Sequence, residues 1–325
     1  RLLPGETRLR KCLRCRLSPL VEVHRSDSRR SAAYRGLVVC GSVWQCPICS
    51  ARISAGRAAE LVEATASHTA AGGSVRLGTF TLPHKAGESL AELVGTLNAA
   101  RRAWMRDGSV RRALAASGLV GHVTGLEATF GHGSGWHPHL HTLFFLDDAR
   151  TLNLPALMLA WHRVTAKLGR PASIAHGLDI RGGKDAAAYV AKLGLEVALS
   201  VRKLGRGADR FGVWQLLAES IEGVEWAGHA FREFTKAMKG RHHLRWSPGL
   251  KAKLGIVDVD DQTLAESKGE EDEALFAFIA SATWAGILRS DLRAEVLQAS
   301  GGGDRSELRD LLLAFGVDAS GLHWA

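Results

Sequence analysis

The sequence lacks long apolar runs and contains few cysteines and tyrosines. No stretch of about 18 consecutive apolar residues occurs among its 325 residues, which excludes a membrane-spanning helix. The five cysteines are odd in number, and four of them form two C-x-x-C pairs, which suits a metal site better than a secreted disulfide framework. The composition is 46% hydrophobic and 23% charged, as in ordinary folded proteins. We therefore expect a globular protein in a reducing cytoplasm.

Positive charge is concentrated in the first three quarters of the chain. The sequence has 42 Lys and Arg against 33 Asp and Glu, a formal net charge of +9. Residues 256–325 carry 5 basic and 14 acidic residues, so the remaining 255 residues carry a net charge of +18. This imbalance indicates a polyanionic partner, because Lys and Arg contacts to phosphates supply much of the affinity for nucleic acids. An arginine-rich composition imposed by a GC-rich genome would produce the same excess, so charge alone does not decide.

Hydrophobic periodicity predicts alternating helices and strands through the middle of the chain. Helical spacing and β-rich runs define the segments in this order: helix 51–70, strand 74–82, helix 89–116, strands 120–130 and 136–146, helix 152–168, strand 172–180 and helix 184–199. The glycine-rich turn GHGSG between the two central strands is a hairpin signal. This order predicts an α+β fold, with an antiparallel sheet and helices packed on one of its faces.

Composition divides the chain into four predicted segments. A basic module with both C-x-x-C pairs spans 1–72, and the region of alternating strands and helices spans 73–200. A basic helical extension follows at 201–255, and an acidic linker then leads to a helical unit within 256–325. The chain begins with Arg rather than Met, so we expect that some upstream sequence is missing.

Histidines alternate along one of the predicted strands, in the segment WHPHLH. Alternate residues of a strand project to the same face, so His139 and His141 share a face about 7 Å apart along the backbone. Two imidazoles at that spacing could bind one metal ion. Glu127 on the preceding strand would add a carboxylate, which favours Mg²⁺ or Mn²⁺. The alternative is an exposed structural Glu127, and His137 has the same parity although Pro138 bends the chain there.

A second candidate cluster lies on the predicted helix 184–199. Asp185, Tyr189 and Lys192 are spaced so that all three share one helical face. A carboxylate and an ammonium group beside a phenol could take the phenol proton or stabilise the phenolate. A surface ion pair of Asp185 with a lysine, beside a half-buried Tyr189, would explain the same residues, and on this spacing alone it is the simpler interpretation.

The cysteines form the third candidate site. Cys12 and Cys15 form one C-x-x-C pair and Cys46 and Cys49 form another, which predicts a structural Zn²⁺. Cys40 is left over, and it is either a buried thiol or a replacement for one of the four. The surrounding residues are too basic and too poor in apolar side chains to fold on a core of their own, so metal binding should supply folding energy.

Together these motifs resemble those of the HUH endonucleases, specifically the rolling-circle replication initiator (Rep) proteins of bacterial plasmids. GTFTLPH at 78–84 is similar to the family's first-strand motif, HPHLH at 137–141 to its metal-binding motif, and YVAK at 189–192 to its nucleophile motif. The resemblance covers about residues 36–250 and includes the segment CGSVWQCPIC, which precedes the nuclease domain in similar proteins. It implies a ferredoxin-like palm as the fold.

The resemblance implies metal-dependent nicking and joining of single-stranded DNA. Tyr189 would attack a DNA phosphate, become joined to the 5′ phosphate and release a 3′-OH that primes synthesis. Lys192 would stabilise charge or help to place the metal. Asp185 would activate water for the closing step, although an Asp stands here where the family pattern leads us to expect Glu.

The same resemblance implies the cofactors and partners. A Mg²⁺ or Mn²⁺ on His139, His141 and Glu127 would polarise the phosphate oxygen. The expected partners are single-stranded or hairpin origin DNA and host replication proteins such as a helicase and a polymerase, with no membrane. Alternative interpretations are an HUH transposase or relaxase-like strand transferase, a histidine-triad nucleotide hydrolase, and a non-enzymatic zinc-ribbon DNA-binding protein. Pro138 and the C-x-x-C pairs are unexpected in a histidine-triad enzyme.

Overall fold

A computed structural model describes residues 2–3, 5, 7–182, 210–267 and 273–325 of the chain. These residues form an α+β protein with antiparallel sheets, so the predicted fold class is confirmed. They divide into two compact units, the larger made of Arg1–Leu3 with Val43–Asp260 and the smaller of Pro4–Ser42 with Asp261–Ala325.

The helices and strands of the described residues are numbered in chain order. The helices are α1 Thr7–Lys11, α2 Pro47–Ala70, α3 Leu90–Arg106, α4 Gly108–Ala116, α5 Leu154–Lys167, α6 Val213–Ile221, α7 Glu225–Met238, α8 Leu250–Lys253, α9 Asp261–Glu266, α10 Ser281–Arg289, α11 Arg293–Gly302 and α12 Arg305–Ala314, with a 3₁₀ turn at Ala149–Thr151. The strands are β1 Val21–Ser26, β2 Ser31–Arg35, β3 Ser74–Phe80, β4 Leu119–Gly131, β5 Gly135–Leu146, β6 Leu178–Arg181, β7 Arg210–Phe211, β8 Leu244–Trp246, β9 Glu273–Ile279 and β10 Leu322–Trp324.

A six-stranded antiparallel sheet is the centre of the larger unit. Its strands are ordered β6-β3-β5-β4-β7, and β8 also pairs with β4. The long β4–β5 hairpin is the predicted one, and its tight turn ends at Gly135, which has a φ of 74°. A Cβ at that position would lie 3.2 Å from the Cα of Ala86, so the backbone there favours glycine for its conformation and for its close packing.

Helices cover both faces of this sheet. The larger core contains Phe80, Phe144, Trp104 and Trp161, and α3 and α5 bring the two tryptophans onto the face that bears Leu126 and Leu140. Both indole N–H groups are satisfied, because Trp104 donates to the carbonyl of Leu157 at 2.9 Å and Trp161 to that of Thr81 at 3.1 Å.

The opposite face has a smaller core to which α2 contributes. Leu61 and Ala64 of α2 belong to the same buried cluster as Val75, Leu143 and Phe145 of the sheet. The predicted packing of helices on one face therefore describes the larger core, and α2 adds a second layer. The apolar spacing of α2 predicts that this helix has a buried side, but it does not indicate which face of the sheet the helix covers.

The smaller unit is built around a second antiparallel sheet, ordered β10-β9-β1-β2. Its central pair joins β1, near the start of the chain, to β9, which begins at Glu273. The predicted helical unit of 256–325 does contain α10, α11 and α12. In the sequence, β9 precedes these helices and β10 follows them. β9 is not predicted from the sequence, because a short apolar run such as EALFAFI suits a strand or a buried helix equally.

His122 on β4 provides a pH-dependent contribution to stability. Burial, together with the nearby charge of Arg101, lowers the pKa of His122 from 6.5 to about 4, and its ring stacks on Phe144 with 6.3 Å between centroids. The unfolded chain therefore binds more protons than the folded one between these pH values, so the free energy of unfolding falls as the pH is lowered from 6.5 to 4. We expect this group to contribute on the order of 2 kcal/mol to that loss.

Urea unfolding as a function of pH measures the effect. His122→Gln should reduce the acid loss of stability, whereas the exposed-site variant His176→Gln should retain the full loss. Equal pH profiles for the two variants would contradict the assignment to His122.

Candidate functional site

Two adjacent strands place Glu127 beside the alternating histidines. In the β4–β5 pairing, Glu127 lies directly opposite His139, and Gly125 lies opposite His141. Residues paired across an antiparallel ladder project to the same face, so the carboxylate and both imidazoles meet on one side of the sheet. Gly125 places no side chain opposite His141, and it is Glu127 that contacts this ring.

The donor atoms of the three side chains are close enough to bind one ion. One ligand atom of each residue lies within 4.8 Å of those of the other two, and Nε2 of His141 is 3.0 Å from Oε2 of Glu127. The His139 and His141 rings are nearly parallel, at 23° with centroids 5.8 Å apart. Two imidazole nitrogens and a carboxylate suit a divalent cation such as Mn²⁺ or Mg²⁺. The Glu-His-His group could therefore bind a metal, which we call the Glu-His-His centre.

A threonine orients the ring of His141. Thr79 of β3 pairs with His141 in the sheet, and its hydroxyl oxygen lies 3.1 Å from Nδ1 of the imidazole. When Nε2 binds a metal, Nδ1 carries the proton and donates it to Thr79. Thr79 belongs to the motif GTFTLPH, in which the sequence alone assigned it no role. The two-residue alternation of β3 could have identified Thr79, because Thr79 and Leu77 project to the same face of the sheet as the histidines.

His137 contacts His84 rather than joining the Glu-His-His centre. Nδ1 of His137 is 2.6 Å from Nε2 of His84, the last residue of the segment GTFTLPH. Burial lowers the pKa of His137 to about 4, and repulsion from His84 and Arg210 adds to that effect. Burial also lowers the pKa of His84, so both rings are neutral at neutral pH and one of them donates an N–H to the other. Since Glu127 points toward His141, the centre has a third donor without His137.

The centre is accessible from solvent although it is part of the sheet. The side chain of Glu127 is 20% exposed and that of His141 is 13% exposed. A phosphate oxygen could approach an ion held there without unfolding the sheet. Partial burial also strengthens the electrostatic effect of a bound cation relative to water.

The second predicted cluster lies outside the described residues, since Asp185, Tyr189 and Lys192 fall within 183–209. The other tyrosine of the chain, Tyr34, is described. It is 4% exposed, its hydroxyl donates to the carbonyl oxygen of Arg293 at 2.9 Å, and burial raises the pKa of its phenol well above the ordinary value. Tyr34 is therefore a structural residue and a poor nucleophile.

Four of the five cysteines lie in two buried pairs, and one of these pairs differs from the predicted one. The sulfur of Cys12 lies within 4.8 Å of that of Cys40, whereas Cys15 is exposed and is not in the group. The reason is a short backbone ladder in which Leu13 N–H donates to the carbonyl of Val38 at 2.8 Å, which holds the two chain segments side by side. Cys40 therefore takes the place that the C-x-x-C spacing assigned to Cys15.

The second pair agrees with its predicted spacing. Cys46 precedes the first turn of α2 and Cys49 lies within it, with Pro47 at the start of the helix. Both are buried, and their sulfurs also lie within 4.8 Å of each other. A helix N-terminus stabilises thiolates, which is the form that binds metal. Within its own unit, each pair could therefore supply two thiolates to a zinc ion.

Among the described residues, no helix has the length and apolar character needed to cross a membrane.

Two curated proteins with sequence similarity to the chain come from Streptomyces. The chain is 26% identical to a protein of Streptomyces lividans named Protein rep, in an alignment of 352 positions that covers 84% of this chain and 77% of that protein. This similarity confirms the predicted resemblance to Rep proteins. A shorter match, 31% identical over 137 residues, is to a neomycin resistance protein of Streptomyces cyanogenus and covers 35% of this chain and 31% of that protein. No family model and no solved structure matches the chain.

Proposed function

We propose that this protein initiates plasmid replication by nicking and rejoining single-stranded DNA through a covalent tyrosine–phosphate intermediate. The observation that carries the proposal is the Glu-His-His centre, in which adjacent strands hold donors for one divalent cation on an accessible face. The similarity to Protein rep over 84% of the chain supports the replication role. We also propose that the protein acts in the cytoplasm, with origin DNA, a helicase and a polymerase as partners.

In the proposed reaction, Glu127, His139 and His141 would hold Mg²⁺ or Mn²⁺, whose charge would polarise a phosphate oxygen. Thr79 keeps the His141 ring in the orientation that exposes Nε2. The phenol oxygen of Tyr189 loses its proton and bonds to phosphorus, while the bond from phosphorus to the 3′ oxygen breaks and that oxygen takes up a proton. Lys192 stabilises negative charge, and Asp185 activates water for the closing step.

We assign this chemistry to the predicted nuclease region, 73–200, which contains the three residues of the centre. The basic extension at 201–255 is proposed to add affinity for the DNA backbone. The same metal chemistry would serve a transposase or relaxase-like strand transferase, and the substrate rather than the reaction separates these enzymes.

Mass spectrometry of the protein after incubation with single-stranded origin DNA and Mn²⁺ tests the proposal. The expected product is a peptide that carries a covalently attached nucleotide, with release of a free 3′-OH strand. Heat-denatured protein serves as the control for non-specific attachment. DNA binding without any adduct or strand cleavage would favour the non-enzymatic zinc-ribbon interpretation instead.

We further propose a structural Zn²⁺ that has Cys12 and Cys40 among its thiolate ligands, since tetrahedral zinc takes four. Cys40→Ser should lower the zinc content from about one ion per chain to near zero and lower the thermal midpoint of unfolding, because zinc binding contributes folding energy. Inductively coupled plasma mass spectrometry and calorimetry measure the two effects.

The matched control is Cys15→Ser, which makes the same change at the exposed cysteine of the same segment. This variant should retain its zinc and its stability. Loss of zinc from Cys15→Ser with retention in Cys40→Ser would restore the ligand set predicted from spacing alone.

A further inference from the structure

A cavity lies on the face of the sheet opposite to the Glu-His-His centre. It has a volume of about 470 Å³ and lies between α3, the middle of the β4–β5 hairpin and the segment 241–245. His122, Thr124 and Leu126 of β4 line it, and they alternate with the strand positions that face the metal donors. The cavity is therefore separated from the Glu-His-His centre by the thickness of the sheet.

The lining of this cavity is strongly basic. Five arginines contribute to it, and none of its described lining residues is acidic. These arginines are Arg101, Arg102 and Arg106 on α3, and Arg241 and Arg245 in the segment that the sequence shows as the patch RHHLRW. We call this site the arginine cavity. Five arginines around one cavity, with no carboxylate among its described lining residues, produce a positive potential that attracts an anion.

Arg101 is the unusual member, because it is buried. The residue is 6% exposed, and its guanidinium carbon lies 4.9 Å from the ring centre of Phe80 and 5.0 Å from that of Trp104. Its Nε and Nη2 atoms have no hydrogen-bond partner within the described ranges. Burial lowers the pKa of Arg101 to about 9, so the group is still charged at neutral pH. A buried charge whose donors are unsatisfied is costly unless a ligand completes its bonds.

From this geometry we propose that the arginine cavity binds the phosphate of a nucleotide, with Arg101 as the buried donor and Arg245 as an exposed one. Guanidinium groups bind phosphate oxygens through paired, charge-assisted hydrogen bonds. The bound anion offers acceptors to the unsatisfied nitrogens of Arg101. The site is separate from the proposed nicking chemistry and does not depend on it.

The other walls of the cavity suit the rest of a nucleotide. Met105, Leu126 and Leu140 provide apolar surface beside the arginines, and Asn98 adds an amide. The volume is within the range of cavities that hold small ligands, and it exceeds what a phosphate ion alone requires. A nucleoside phosphate, either free or within a DNA strand, has both the anionic and the flat apolar part that this lining accommodates.

Isothermal titration calorimetry without added divalent metal tests the proposal with thymidine 5′-diphosphate and, separately, with oligodeoxythymidylate. Arg245→Gln and Arg101→Met should each weaken binding by about tenfold or more, since each removes a charge-assisted contact to phosphate. The matched control is Arg111→Gln, which removes an exposed arginine of α4 that does not line the cavity. Arg245 is exposed, so its replacement stays informative even if Arg101→Met fails to fold.

The two ligands distinguish the source of the phosphate. Weaker binding of thymidine 5′-diphosphate in the cavity variants alone would identify a free nucleotide as the ligand. The same pattern with oligodeoxythymidylate alone would identify a phosphodiester of a DNA strand. Binding of both ligands that responds no more to Arg245→Gln than to Arg111→Gln would overturn the proposal.

Discussion

Tyr189→Phe is expected to abolish both strand cleavage and the covalent DNA adduct while leaving DNA affinity within about twofold of the unmodified protein. The substitution removes only the phenol oxygen, which is the proposed nucleophile, and retains the aromatic ring. Without that oxygen no bond to phosphorus can form, so the loss should be complete rather than partial. Denaturing electrophoresis of labelled DNA measures the adduct, and fluorescence anisotropy measures the affinity.

The chain offers a matched control, because Tyr34 is its only other tyrosine. Tyr34→Phe removes the hydrogen bond to the carbonyl of Arg293, so it should cost about 1 kcal/mol of stability and leave the adduct unchanged. An undiminished adduct in Tyr189→Phe would refute the assignment of the nucleophile. The burial of Tyr34 makes that residue an unsuitable replacement in this role.

The sheet and the Glu-His-His centre could be predicted from local patterns. Alternation along β5 assigns His139 and His141 to one face, and the short turn before Gly135 fixes the hairpin register closely enough to bring Glu127 opposite. Both rest on the two-residue period of a strand, which the sequence displays directly. The metal-binding role of these residues is still a prediction.

The cysteine pairing and the arginine cavity depend on contacts that no local pattern encodes. Cys40 replaces Cys15 because a backbone ladder near Val38 brings distant segments together. In the same way, Arg101 and Arg245 are 144 positions apart, and only the packing of α3 beside the hairpin brings them to one cavity. The periodicity of α3 shows an amphipathic helix but gives no reason to place an arginine among its buried residues.

The contribution of the Glu-His-His centre can be measured as a graded loss of metal affinity. His141→Ala removes a donor nitrogen and should weaken Mn²⁺ binding more than about a hundredfold, with cleavage falling below detection. Glu127→Ala should have a smaller effect, because water can replace a carboxylate oxygen as a ligand. Thr79→Val keeps every donor and removes only the hydroxyl that orients His141, so we expect a loss of about tenfold. Calorimetric titration with Mn²⁺ gives the affinities.

A threonine on the other face of the sheet controls for the effect of the substitution itself. The hydroxyl of Thr124 lies 3.2 Å from that of Thr142, and Thr124 alternates with the strand positions that face the metal donors. Thr124→Val therefore makes the same chemical change in the same sheet and should leave Mn²⁺ affinity within about twofold. Equal losses in Thr79→Val and Thr124→Val would mean that the hydroxyl stabilises the sheet rather than the ligand. Full Mn²⁺ affinity in His141→Ala would remove the centre from the mechanism, because the remaining two donors do not define a site for the ion.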